Sequence, residues 1–337
     1  MKSHLACCAF LLLSACAEAR SPDSVAIEVR AEAVPLNPED PAMTQLGALR
    51  YRGGLVLTSE DDDFGGLSGV IVAPDESKLL AITDKGHWVC MGLKADSDGV
   101  LLGITTASLS PMLSAETKPL QGKEEADAEA VSLTSDGTAI LAAFEGTHRV
   151  MRYPLGQPGN LCSVAGATPT RLIAPAGLND LPANGGIEAL ATTADGTLIV
   201  LTEKGEAEGG GTLGWMMPEL GLKASAAQRF GFEPPDPYVP TDLARLDDTL
   251  FVLQRHFSVM SGVSGVLSMT TAQALAEGTA ATELARFVTP ITVDNMEGVS
   301  AVRSASGQTH IYIVSDDNFM AFQRTLLLKF SLGNSKD

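Results

Sequence analysis

Val293–Phe330 reads VDNMEGVSAVRSASGQTHIYIVSDDNFMAFQRTLLLKF. Three short apolar runs, Gly298–Val302, His310–Val314 and Thr325–Phe330, are separated by polar clusters. Runs of about five residues, rich in β-branched side chains, read as strands rather than helices. Ser304–Gln308 joins the first two, and Gly307 offers the positive φ of a tight turn. An antiparallel hairpin brings the start of its first strand beside the end of its second. Glu297 opens the first strand, while Asp316 and Asp317 close the second, so these carboxylates converge at one end of the sheet.

The same unit recurs along the chain. Aligning Ser68-Gly-Val, Glu129-Ala-Val, Glu188-Ala-Leu, Asp242-Leu-Ala and Glu297-Gly-Val gives intervals of 61, 59, 54 and 55 residues. Each start is followed by a turn, such as Ser135-Asp136-Gly137, and by a second, more apolar strand, such as Ala139–Phe144. Asp-Gly between apolar runs is a strong short-range hairpin signal. A period near 55 built from hairpins predicts an all-β chain folded as a β-propeller, one four-stranded blade per repeat. Five blades are visible, and Leu49–Leu57 is placed to close the ring against Thr325–Phe330. A sixth fits only as a divergent blade in Val100–Glu125 or Gly205–Pro240. A β-sandwich leaves the repeat unexplained.

The innermost strands of a propeller run the same way, so the polar ends of the repeats share one face. This predicts an acidic ring of Asp84, Glu129, Glu145, Glu188, Glu203, Asp242, Glu297, Asp316 and Asp317, with Asp127 and Asp294 close by. Basic residues stand at the same ends: Lys85, Arg149, Lys204, Arg255 and Arg324. Three uses of the acids stay open here: strand caps and inter-blade salt bridges, a hard-cation site, or direct catalysis. Ca²⁺ takes six to eight oxygen ligands, and Glu129, Glu188, Asp242, Glu297 and Asp316 are the candidate metal ligands. Glu297 and Asp316 are the candidate catalytic pair, and Arg149, Arg255 and Arg324 the candidate holders of an anionic substrate.

Other chemistries fit less well. Gly66-Leu67-Ser68-Gly69 is followed by Val70 and so departs from the nucleophile-elbow pattern. A serine esterase would need Ser68 to meet His87, His148 or His256. No histidine or cysteine spacing points to zinc. Trp88, Trp215 and Tyr238 either line the rim or belong to the core.

The formal charge of −18 over 337 residues argues against nucleic acid and against charge-driven binding to anionic lipid. Leu5–Leu13, behind Lys2, is too short to span a bilayer and reads as a signal-peptide core. Leu13-Ser14-Ala15-Cys16 resembles a bacterial lipobox, which implies cleavage before a lipidated Cys16. The alternative is ordinary cleavage after Ala15 or Ala17 with soluble export. The expected organisation is a signal peptide over residues 1–15, a tether over 16–43 and the propeller over 44–337. The tether ends sooner if the alternating run Ile27–Ala33 is a strand. The lipid chain would be the membrane contact, in the cell envelope facing periplasm or exterior, and a monomer is expected. Cys90 and Cys162 are either a disulfide or two buried thiols.

The patterns DNMEGV, SDDNF and QRTLLLKF resemble the closing segment of the bacterial phytase-like family, known as "esterase-like activity of phytase". FGGLSGVIVAPDESKLLAITDKG, DAEAVSLTSDGTAILAAFEGTHRVMRY, NGGIEALATTADGTLIVLTEKG and PTDLARLDDTLFVLQRHFS fit the same family, and the likeness spans Leu46–Leu332. The resemblance implies hydrolysis of phosphate or other esters, on a small anionic substrate. The residue roles above come from geometry, not from the family. A non-catalytic envelope propeller that binds a ligand or protein at its channel mouth is the alternative.

Overall fold

The structure, a computed structural model, describes residues 24–172, 174–218 and 227–333. Its hairpins assemble into five blades. The innermost strands are Leu67–Val72, Ala128–Leu133, Ile187–Thr192, Val239–Leu246 and Asn295–Arg303, each packed against the next in a closed ring. Each blade then runs outward strand by strand through antiparallel neighbours. Val100–Glu125 contributes the outer strand Leu101–Pro111 of the first blade. The described part of Gly205–Pro240 completes the third blade with Thr212–Pro218 and Gln228–Phe232. Neither segment forms a sixth blade.

Second strands such as Ala139–Phe144 are buried along their whole length, which explains why they read as continuous apolar runs rather than as alternating ones. Both faces of such a strand are covered because blades stack face to face. Five apolar clusters result, one between each pair of neighbouring blades. Between the first and second blades, for example, Trp88 meets Tyr153 edge-on with ring centroids 5.1 Å apart.

The ring closes as the sequence predicts. Leu49–Thr58 lies antiparallel to Thr325–Leu332 in the fifth blade, with Thr325 opposite Leu57. Arg30–Ala33 adds a further strand outside it. Val25–Ala26 pairs with the outer strand of the first blade, Val25 opposite Leu109. Residues 24–43, read from the sequence as the end of a tether, are therefore part of the propeller and cross between its first and fifth blades. The alternation in Ile27–Ala33 was the signal for this. The signal segment, the lipobox and Cys16 lie outside the described residues.

Turns between first and second strands hold the blades' register. The second, third and fifth blades place glycine at positive φ there: Gly137 (67°), Gly196 (81°) and Gly307 (81°). The first and fourth use Glu76 (57°) and Asp247 (55°), a costlier choice for a residue with a Cβ.

Cys90, on the third strand of the first blade, and Cys162, in a 3₁₀ turn of the second, form a disulfide with Cα atoms 5.7 Å apart. Of the two sequence readings, the structure supports the bridge. Its loop is long, and the chain-entropy model assigns such a link about 4 kcal/mol. Cys162→Ser is expected to lower stability by an amount of that order in denaturant titration. Thiol labelling of the unreduced, unfolded protein should find neither cysteine of this pair reactive.

Candidate functional site

One structural device recurs at the start of every inner strand. The pairing with the second strand slips by one residue, leaving Ser68, Glu129, Glu188, Thr241 and Glu297 unpaired in bulges. A bulge re-aims the side chain of its extra residue. Three of the five bulged residues are glutamates from three blades, and Glu297 adds to the raised pKa of both Glu129 and Glu188.

Asp242 is not in this set. It pairs with Leu253, as Ala189 pairs with Leu201 and Gly298 with Val314, so it stands one step past the bulge. Its neighbour Thr241 takes the bulge and donates to Met296 O at 3.1 Å. Asp242 is fully buried, accepting from Leu243 N and from Val299 N, both at 2.8 Å. Burial pushes its pKa well above the usual range. The residue expected to be a cation ligand is a clamp between the inner strands of the fourth and fifth blades.

The densest group of acids belongs to the second blade. Asp127, Glu129 and Glu145 bring one carboxylate oxygen each within 4.8 Å of one another. Asp127 and Glu145 are buried, at 2% and 4% exposure. Glu145 accepts from Gly186 N at 2.5 Å and shares a hydrogen bond with Glu188 of the third blade. Asp127 faces Lys123 Nζ at 3.5 Å. Burial is the main cause that raises the pKa of Asp127, Glu129, Glu145 and Glu188, and the neighbouring acids add to it at the last three. Asp84 is pushed up to about 6 by burial and then by Asp127, and its Oδ1 is buried with no partner among the described residues.

The fifth blade supplies the other side. Glu297 lies 2.9 Å from Arg255 Nε and accepts from Asn295 Nδ2 at 2.8 Å. Burial raises its pKa to about 7 even against that guanidinium. Asp316 accepts from Asn318 N at 2.6 Å and from Asn295 Nδ2 at 3.4 Å, and burial raises it to about 7. Asn295 thus bridges the expected catalytic pair.

Of the three arginines expected to hold a substrate, only Arg255 meets the acids, touching Glu297 and, at 4.0 Å, Glu203. Arg149 donates to the carbonyls of Thr147 and Glu125 and stacks on Phe144, two strands out from the axis. Arg324 binds Asp294 at 3.1 Å and Val293 O at 2.9 Å. Both fasten loops instead of facing the channel. The serine route lacks its partner. Ser68 Oγ donates to Gly66 O at 3.4 Å, whereas His87 faces Asp63, His148 faces Pro182 O and His256 packs on Tyr238. Trp88, Trp215 and Tyr238 are buried core residues.

Sequence reasoning placed Glu145 in the ring and Asp127 close to it but did not choose them as ligands. The signal available was the pair Asp127-x-Glu129 facing the acid that ends the next strand. The donor set fits a hard cation. All of its atoms are crowded carboxylate oxygens, Asp127 and Glu145 are buried, and Asp84, whose pKa Asp127 raises, keeps a buried unpartnered Oδ1, which suits Ca²⁺ better than an imidazole- or thiolate-seeking metal.

A family model, "Esterase-like activity of phytase", matches residues 62–319. No curated protein matches the chain. Among solved structures, the chain is similar to the PQQ-bound aldose sugar dehydrogenase of Streptomyces coelicolor (11% identity, 90% of this chain and 98% of that one, TM-score 0.45). It is also similar to the endo-arabinase of Bacteroides thetaiotaomicron (11% identity, 82% and 96%, TM-score 0.47). A third is the Cps50 (Swd1) β-propeller domain of Myceliophteria thermophila (10% identity, 89% and 99%, TM-score 0.39). At such identities and scores these likenesses carry nothing about activity.

Proposed function

The chain belongs to the phytase-like family, and from that premise we propose that it is a Ca²⁺-assisted hydrolase of phosphate or other esters working at the acidic channel mouth. The observation that supports this best is the meeting of Asp127, Glu129 and Glu145 oxygens within 4.8 Å, with Lys123 as the near compensating charge. Those three residues, with Glu188 beside Glu145, would hold the ion. When bound, Ca²⁺ supplies Lewis-acid polarisation of a phosphoryl or carbonyl oxygen and acidifies a bound water.

The remaining roles belong to the chain's own groups. Glu297 has a pKa of about 7, which suits a general base at neutral pH. Arg255 orients that carboxylate through their 2.9 Å contact, and its charge favours an anionic substrate at the same spot. Asp316, also at about 7, is held by Asn318 N and Asn295 and can return a proton to the leaving oxygen.

The test is turnover of a generic phosphomonoester and of a carboxylic ester, in millimolar calcium and in chelator. Activity is expected only with calcium. Glu297→Gln should lower kcat by about 100-fold or more, the usual yield of general-base catalysis. Calcium binding without turnover of either ester would instead mark the mouth as a binding site.

A further inference from the structure

The mouth face carries more than acids. Six of the nine large apolar side chains exposed among the described residues sit in two loops on this face. Phe257, Val259 and Met260 form the tip of the hairpin Thr249–Ser258 to Gly262–Thr270 in the fourth blade. Phe319, Met320 and Phe322 lie in the neighbouring loop of the fifth, between Asp316 and Thr325. Val259 is 94% exposed and Met260 fully so. Neither 257–263 (FSVMSGV) nor 318–323 (NFMAFQ) holds a charged residue, in a chain of net charge −18. Charged residues stand at the feet of both loops: Arg255, paired with Glu297, in one, and Asp316, Asp317 and Arg324, the last paired with Asp294, in the other. Uncharged apolar tips above charged feet match the layering of a lipid surface, with acyl chains beyond polar head groups.

The way the N-terminal segment enters the fold points the same way. Val25 lies opposite Leu109 in an antiparallel pair, and His87 opposite Pro111, so the chain at Ser24 lies on the side of the mouth face. If Cys16 is lipidated, residues 17–24 span at most about 28 Å. The segment leaves beside Leu109, and the far end of that strand at Leu101 is about 26 Å away at about 3.3 Å per residue. An anchor behind the opposite face would need the segment almost fully extended, whereas one on the mouth side would not.

We propose that the mouth face of the propeller lies on the bilayer, with the tips at Phe257–Met260 and Phe319–Phe322 immersed in it. This orientation rests on the lipobox reading, but not on the site being catalytic. Its test uses the lipidated chain in phosphatidylcholine vesicles whose acyl chains carry bromine. Tryptophan is introduced one site at a time, as Met260→Trp and Phe322→Trp on the tips and Leu102→Trp on the opposite face. Trp88 and Trp215 are buried and give a constant background. The expected result is at least twofold quenching of the tip tryptophans and none of that at 102. Equal quenching at all three sites, or none at the tips, overturns the proposal. A tip substitution that instead raises KM for a water-soluble ester without any quenching overturns it too, and assigns the loops to substrate. A chain that lacks the lipid but gives the same quenching contrast on added vesicles would remove the anchor reading while upholding the tips.

Discussion

In chelator, the protein is expected to melt at a lower temperature at about pH 8 than at about pH 5, and calcium is expected to reverse the difference. Glu297 and Asp316 rise on folding from 4.5 and 3.8 to about 7. Between those limits the folded state keeps protons that the unfolded chain has released, so stability declines as pH rises. The advantage of the protonated fold is complete below the unfolded values and gone once pH passes about 7. The shifts are worth about 3–4 kcal/mol each at most, against a total stability of about 5–15 kcal/mol. Glu129 and Glu188, whose pKa burial and the neighbouring acids also raise, add to the decline. The lowered carboxylates, Asp75, Glu76, Asp136 and Asp195, act with the opposite sign but only in acid, below their ordinary values.

Thermal melts at three pH values, with and without millimolar calcium at matched ionic strength, check this. Glu145→Gln removes one buried negative charge. It should raise the melting temperature in chelator and weaken the calcium shift. A chelator-treated protein that melts higher at pH 8 than at pH 5 would mean that Arg255 and Lys123 already compensate the acids.

The second large effect is expected at Glu76, far from the mouth. This residue takes the left-handed turn position of the first blade, where three other blades use glycine. It is held there by a buried network that crosses to the fifth blade. Lys329 Nζ lies 2.7 Å from Oε2, Tyr312 donates its hydroxyl at 2.6 Å, and His310 Nδ1 lies at 2.8 Å. Lys329 is only 1% exposed. Burial alone would raise the Glu76 pKa, but these donors outweigh it and bring the group down to about 2. Its contribution is therefore complete above 4.5 and lost as pH falls through about 2.

Glu76→Gln leaves the Lys329 ammonium buried without its carboxylate. Breaking a buried pair from one side costs about 3–5 kcal/mol, and that loss is expected in denaturant titration. Adding Lys329→Met should recover most of it, because both charges then leave together. A single variant as stable as the parent would show that Lys329 finds solvent by another path.

How much of this was legible in the sequence follows from the range of each interaction. Strand, turn and strand are set by neighbours a few residues apart. The repeat, the five blades and the closing strand Leu49–Thr58 could therefore be read from alternating apolar runs and Asp-Gly turns. The convergence of acids on one face followed from hairpin geometry alone. The bulge did not, because it depends on which residue of the second strand pairs with which of the first. That slip of one residue sends Glu129, Glu188 and Glu297 to the channel and turns Asp242 into a clamp on Val299. The contacts of Arg149 and Arg324 were illegible for a related reason. Arg149 and Arg324 have the expected chain position, but the acceptors that hold them, the Glu125 carbonyl for one and Val293 O with Asp294 for the other, come from segments outside their own hairpins. Glu76 likewise looks like an ordinary turn residue until blade closure brings His310, Tyr312 and Lys329 to it from more than 230 positions away. Local sequence determined the units and the face on which their charges meet. Only the closed ring decided which charges touch, because register and inter-blade packing are properties of strands distant in the chain.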